Sequence, residues 1–189
     1  MDDFERREKR WNRRRAYLED FQLNVAGEYV YTGKVHHFCA EDGLTRRRAM
    51  TVLWALALLM AVLTVVSGCL PAAGMQHTFY VLIPYAGSLL SVVSVIWALA
   101  RLSTEGEPVR DFIYKATIEQ FRPRSTLAAV CTAATLAAET VHLILIRGAG
   151  VNWAGTITFL VLQGVILAAA IAWRGYAVGL HWSVNQPDT

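Results

Sequence analysis

Four apolar runs, residues 49–70, 78–100, 125–146 and 155–173, constrain the fold of this chain more than any other feature, because each is long enough to cross a bilayer. A hydrocarbon core of ~30 Å requires roughly 20 helical residues at ~1.5 Å rise per residue. The first, second and fourth runs contain no Asp, Glu, Lys, Arg or His, and the third contains only Glu139 and His142. Backbone amides that enter lipid must be satisfied inside helices, and the alternating ~10-residue strands of a transmembrane barrel do not occur in the pattern. The expected fold class is therefore an all-α integral membrane protein with four transmembrane helices in two antiparallel hairpins. The first run follows some 48 residues of polar chain and is longer than a signal-peptide core, so it is expected to stay attached as an anchor.

Orientation follows from the basic residues. Of the eighteen Lys and Arg, eleven precede residue 49, five lie between residues 101 and 124, and the last two are Arg147 and Arg174. The positive-inside rule then places the N-terminus, the middle loop and the C-terminus in the cytoplasm. Trp54, Trp97 and Trp173 fall near the proposed inner surface, and Phe79, Tyr80 and Trp153 near the outer one, as amphipathic rings prefer. This divides the chain into a cytoplasmic basic segment (1–48), a four-helix transmembrane domain (49–174, with loop 101–124) and a cytoplasmic tail (175–189). The bias fits a bacterial plasma membrane.

The basic segment itself has two parts. Over residues 2–21, Phe4, Trp11 and Leu18 recur every seven positions with Phe21 three later, which predicts a helix with a narrow apolar stripe. Arg6, Arg10, Trp11, Arg13 and Arg14 are the candidate contacts of that helix with an anionic lipid surface. Acidic residues interleave with the basic ones, and no nucleic-acid motif accompanies the cluster, so no nucleic-acid partner is expected. Further on, Tyr29, Val30 and Tyr31, then Thr32 and Gly33, then Lys34, Val35 and His36 suggest a small β-hairpin that needs something else to pack on. His36 and His37 are adjacent in a strand pattern and so point to opposite faces, which argues against a metal site. Cys39, Cys69 and Cys131 are too far apart along the topology for a disulfide, and no cofactor motif is present.

Within the membrane, Ala129, Ala133 and Ala137 in the third run and Gly87 and Ser91 in the second form small-residue faces that let helices approach closely. Glu139 lies eight residues before Arg147, and Gln163 eight after Gly155, so both sit ~12 Å below the outer ends of their helices. Tyr85 and Thr64 fall near the same level. On this arithmetic Gln163 is expected to hydrogen-bond Glu139, with His142 one turn above it. A carboxyl in hydrocarbon needs a reason. Three compete: a proton or cation relay, a structural hydrogen-bonded clasp, and a catalytic acid or base. No HExxH, GxSxG or phosphate-binding Gly loop supports catalysis. The leading expectation is a non-catalytic accessory or assembly protein that self-associates or binds a larger membrane partner. The alternatives are a small oligomeric transporter or channel using Glu139, His142 and Gln163, and then a membrane-bound enzyme.

Overall fold

Apolar length sets where the long helices run, and local chemistry sets where they start. The computed structural model describes residues 21–23, 29–39, 45–75, 78–146 and 150–185. In chain order it contains β1 (Phe21–Leu23), β2 (Tyr29–Tyr31), β3 (Val35–Phe38), α1 (Arg46–Gly68), α2 (Phe79–Thr104), β4 (Val109–Arg110), α3 (Asp111–Thr117), α4 (Phe121–Leu145), α5 (Trp153–Val178) and β5 (Trp182–Asn185). Helices α1, α2, α4 and α5 are each long and apolar enough to cross a membrane. Thr45 caps α1, its hydroxyl accepting from the Arg48 N–H, and Asn152 caps α5, accepting from the Gly155 N–H at 3.1 Å. Helix α4 begins at Phe121, four residues before the apolar run, because Pro123 falls in the first turn, where the N–H it lacks has no helical partner to serve. Helix α5 continues past residue 174 to Val178.

Each long helix buries a seam whose members alternate at spacings of four and three. In α1 it is Leu53, Ala57, Met60, Thr64 and Ser67; in α2, Val81, Tyr85, Ser88, Val92, Val95, Leu99 and Leu102. In α4 it is Ser125, Ala128, Thr132, Thr135 and Glu139; in α5, Phe159, Gln163, Ile166, Ala170, Trp173 and Ala177. A 3.5-residue repeat keeps such a seam turned toward its neighbours along a bundle. Named contacts give the neighbours. The Trp54 indole donates to Ser103 Oγ at 2.9 Å, joining the start of α1 to the end of α2. Arg124 donates to the Ser94 carbonyl at 2.7 Å, and Ser88 and Thr132 share a 2.8 Å bond, joining α2 to α4. The Phe121 and Trp173 rings meet edge-on at 5.0 Å between α4 and α5. The Trp173 indole donates to the Leu53 carbonyl at 3.1 Å and closes α5 on α1. The outward surface carries Leu58, Val62, Val65, Ile83, Leu90, Val130, Ile144, Val161 and Ile171, all exposed, the surface expected of helices long and apolar enough to cross a membrane.

The small-residue positions of the two helices differ in what they meet within the chain. A Cβ added at Gly87 would lie 3.0 Å from Cys131 Sγ, so α2 and α4 do approach closely there, and Ser91 is buried beside it. Ala133 and Ala137, however, are exposed, and Ala129 is only half-buried. The stripe at 129, 133 and 137 therefore is not the inward face of α4. The hydroxyl and carboxyl positions Ser125, Thr132, Thr135 and Glu139 occupy that face instead, where their polar groups find partners within the chain and the alanines need none.

Outside the bundle, the expected hairpin does not form. β2 pairs antiparallel with β1, matching Tyr31 to Phe21, while β3 turns away to become the centre of a three-stranded antiparallel sheet in the order β4-β3-β5. Val35 and His36 pair with Arg110 and Val109 on one side, and Val35 to Phe38 pair with Asn185 to Trp182 on the other. An isolated three-residue hairpin is marginal, whereas β3 in this position has both edges bonded to strands already fixed by helices. Phe21, assigned from sequence to the end of a helix, lies in β1. The rest of that predicted helix, with Arg6, Arg10, Trp11, Arg13 and Arg14, lies outside the described residues.

This sheet ties the N-terminal segment, the middle loop and the C-terminal tail together at one end of the bundle. His36, buried at 6% exposure, stacks on Tyr114 with ring centroids 3.8 Å apart, and its Nε2 lies 2.9 Å from Asp111 Oδ1. Tyr114 in turn meets Trp182 edge-on at 6.0 Å. Burial raises the Asp111 carboxyl, but hydrogen bonds from Lys115 and His36 outweigh it and leave the group below its ordinary value.

Candidate functional site

Polar residues inside the bundle concentrate toward the end away from the sheet, under the connection between α1 and α2. Glu139 and Gln163 are both fully buried, Thr64 is fully buried, and Tyr85 is 8% exposed. These four were singled out from sequence, and they do lie in the same region, but not in the expected pairing. Gln163 does not serve Glu139: its Nε2 donates to Ser67 Oγ at 3.1 Å. Ser67 donates to the Thr64 carbonyl at 2.8 Å, and the Tyr85 hydroxyl reaches the same carbonyl at 2.6 Å. Thr64, Ser67, Tyr85 and Gln163 thus form one network linking α1, α2 and α5.

Glu139 is held from above. The connection after α1 turns inward, burying Ala72 and Gly74, and the Gly74 N–H donates to Glu139 Oε1 at 3.1 Å. The neighbouring Ala73 N–H donates to Thr156 Oγ1 at 3.2 Å, and Thr78 Oγ1 bonds back to the Gly74 carbonyl. Backbone donors in a turn without regular secondary structure need acceptors once they are buried, and Glu139 and Thr156 provide them. A methyl group at 74 would overlap Glu139 Oε2 and stand 2.8 Å from Val81 Cγ2, so a larger residue there forces those side chains to shift. At Gly68 a methyl group would overlap the Tyr85 hydroxyl, so that glycine opens the route to the Thr64 carbonyl.

His142 lies about one turn along α4 from Glu139. It is half-buried, and its Nδ1 lies 2.7 Å from the Tyr80 hydroxyl on α2, nearer the surface of the bundle. Two buried acceptors, Glu139 Oε2 and Gln163 Oε1, have no hydrogen-bond partner among the described residues. Among those residues, no group of three His, Cys, Asp or Glu side chains converges as metal ligands.

No known family, curated protein or solved structure matches this chain. Function must therefore be argued from the arrangement itself. Sequence reading missed Ser67, Gly74, Thr156 and Tyr80. Ser67 was detectable, three residues after Thr64 on the same helical face. Gly74 and Thr156 were not, since nothing in the spacing says that the connection folds inward.

The interior changes character toward the sheet end. There Leu53, Met60, Leu99, Leu102, Phe121 and Trp173 are all at or below 2% exposure. The hydroxyls that remain at intermediate levels bond to carbonyls of their own helices: Ser91 to Gly87, Thr132 to Ala128, Thr135 to Cys131 and Ser125 to Phe121. Such side chains complete helix packing and present no free donor to a passing solute.

Proposed function

We propose that this chain is a small, non-catalytic multi-pass membrane protein that acts as an accessory or assembly component, either self-associating or binding a larger membrane partner. The observation that carries the reading is the enclosure of Glu139, whose carboxyl is fully buried and bonded to the backbone of its own chain at Gly74. A carboxyl used this way fixes a connection to the bundle. The apolar packing of Leu53, Leu99, Leu102 and Trp173 below it supports the same reading, since a relay requires polar steps on both sides of the membrane. In this proposal the helices form two antiparallel hairpins across a bacterial plasma membrane, with the sheet and both termini on the cytoplasmic side, where the basic residues gather.

One observation favours a second reading, a small transporter or channel: Glu139 Oε2 and Gln163 Oε1 are buried acceptors without partners. Purification in gentle detergent, followed by the mass of the intact complex, separates the two. A stoichiometric foreign partner, or an oligomer whose assembly responds to Glu139→Gln while no flux does, supports the accessory reading. A lone oligomer that conducts protons or solute in vesicles, and loses that flux on Glu139→Gln while still folded, overturns it.

A further inference from the structure

A groove of about 830 Å³ opens sideways on the bundle between the first half of α1 and the end of α2. Its walls divide by chemistry along α1. Met50, Ala55 and Leu58 make an apolar trough, while Arg46, Arg47, Glu105 and Glu107 form a charged mouth at the sheet end. From Arg46 to Leu58 the helix rises about 18 Å, close to the ~15 Å half-thickness of a hydrocarbon core plus the start of its head-group layer. Trp54 and Ser103 mark the boundary, and their polar atoms are already satisfied: the indole donates to Ser103 Oγ at 2.9 Å, and Ser103 donates to the Leu99 carbonyl at 2.8 Å. Beyond Trp54, Ala55 and Leu58 ask only for hydrocarbon.

Among the described residues the mouth carries two cations and two carboxylates, whose formal charges cancel. Arg46 is committed inward, donating to the Glu105 carbonyl at 2.8 Å and to the Leu102 carbonyl at 3.4 Å. Its distance to Glu107 is 3.8 Å, a loose pairing, and Glu107 remains 46% exposed. Arg47 is exposed at the rim. An anion would be drawn to Arg47 and repelled by Glu105 and Glu107. A head group with a phosphate and an ammonium a few ångströms apart matches both signs, with phosphate on Arg47 and ammonium on Glu107.

We propose that this groove binds one zwitterionic, amine-bearing glycerophospholipid, its acyl chain lying along Met50, Ala55 and Leu58. The inference rests on the reading of the chain as membrane-embedded. The test uses the full chain in nanodiscs of equal parts phosphatidylethanolamine and phosphatidylglycerol, and counts by native mass spectrometry the lipids that survive detergent exchange. Phosphatidylethanolamine is expected to be retained over phosphatidylglycerol by about fivefold or more. Arg47→Ala should remove that preference, Glu107→Lys should turn it toward phosphatidylglycerol, and Leu58→Trp, which fills the trough, should lower retention of both. These positions are solvent- or lipid-exposed, so the variants keep the fold. Equal retention of the two lipids, a preference for the anionic one in the unmodified chain, or retention indifferent to Arg47→Ala would overturn the proposal. Alkaline washing of native membranes reports embedding separately: release of the protein removes the membrane reading and the groove with it, while a retained protein lacking lipid preference removes the groove alone.

Discussion

At the sheet end of the bundle, Trp173 packs edge-on against Phe121 and sits among Leu53, Leu99 and Leu102, whereas at the opposite end Glu139, Gln163, Tyr85 and Thr64 are buried in a hydrogen-bonded setting. The same four helices build both ends with the same 3.5-residue seam. What differs is the connection each end must accommodate. At the sheet end the connecting segments form their own hydrogen-bonded strands outside the bundle and leave the interior dry. At the other end, the turn through Ala72, Ala73 and Gly74 folds into the bundle with its amides unpaired by any strand, so acceptors must come from the helices. The burial of a carboxyl in α4 is thus a consequence of where a loop goes.

The largest expected effect tests the dry end. Trp173→Ala leaves a cavity and strands the Leu53 carbonyl contact, and it should cost about 3 to 5 kcal/mol in a reversible detergent-unfolding assay. A cost under about 1 kcal/mol, below the range for loss of a buried aromatic ring, would mean that this end is not the packed core of the fold.

At the polar end, Gly74→Ala drives a methyl group into Glu139 and Val81, with an expected cost of about 1 to 3 kcal/mol. Combining it with Glu139→Ala should recover part of that loss, because the clash disappears with the carboxyl; strict additivity of the two would contradict the contact. Tyr85→Phe removes the bond to the Thr64 carbonyl and should cost about 0.6 to 1.7 kcal/mol, the range for hydrogen bonds between transmembrane helices. Glu139→Gln keeps an acceptor for the Gly74 N–H and should fall at or below the bottom of that range. The two ends then rank as shape first and hydrogen bonds second.

A smaller effect is expected on the outside of α4. Ala133→Leu should change the stability of the isolated chain by no more than about 0.5 kcal/mol, whereas Ala128→Leu on the buried seam should cost about 1 to 3 kcal/mol. Should Ala133→Leu instead shift the mass of the native assembly, the exposed alanines would be a contact between subunits.

The smallest effect concerns acid. Asp111 is held below the ordinary carboxylate value in the folded chain, so the stability it contributes is present above the unfolded value of about 3.9 and is lost as the pH falls below that toward the folded value. Trp182 fluorescence, sensitive to its edge-on contact with Tyr114, should therefore show a step in the carboxylate range. Asp111→Asn should remove that acid-dependent step.

Much of the candidate site was legible in the chain, but only as depth. Helical rise alone placed Glu139, Gln163, Tyr85 and Thr64 at one level, and the structure brings them into one region. Rise says nothing about azimuth, which is why Gln163 was matched with Glu139 when it in fact meets Ser67. The same limit applies to α4, where the alanine stripe and the Ser125–Thr132–Thr135–Glu139 stripe both have helical spacing and the structure turns the second inward. A polar stripe inside a lipid-length helix is the stronger indicator of the inward face, because lipid offers no partner to a hydroxyl or carboxyl.

Hydropathy and length determined the four membrane-length helices, since the cost of an unbonded backbone in hydrocarbon leaves a 20-residue apolar segment no other form. Turn and β-forming residues likewise marked strands near Tyr29 to His36. Only the tertiary structure decided which strands pair, that β3 joins the middle loop and the tail rather than its sequence neighbour, and that the connection through Gly74 turns inward onto Glu139. Those choices depend on contacts between residues 65 or more positions apart, such as Gly74 with Glu139 and His36 with Asp111. No local pattern encodes such contacts, because their free energy exists only once the helices have already brought both partners together.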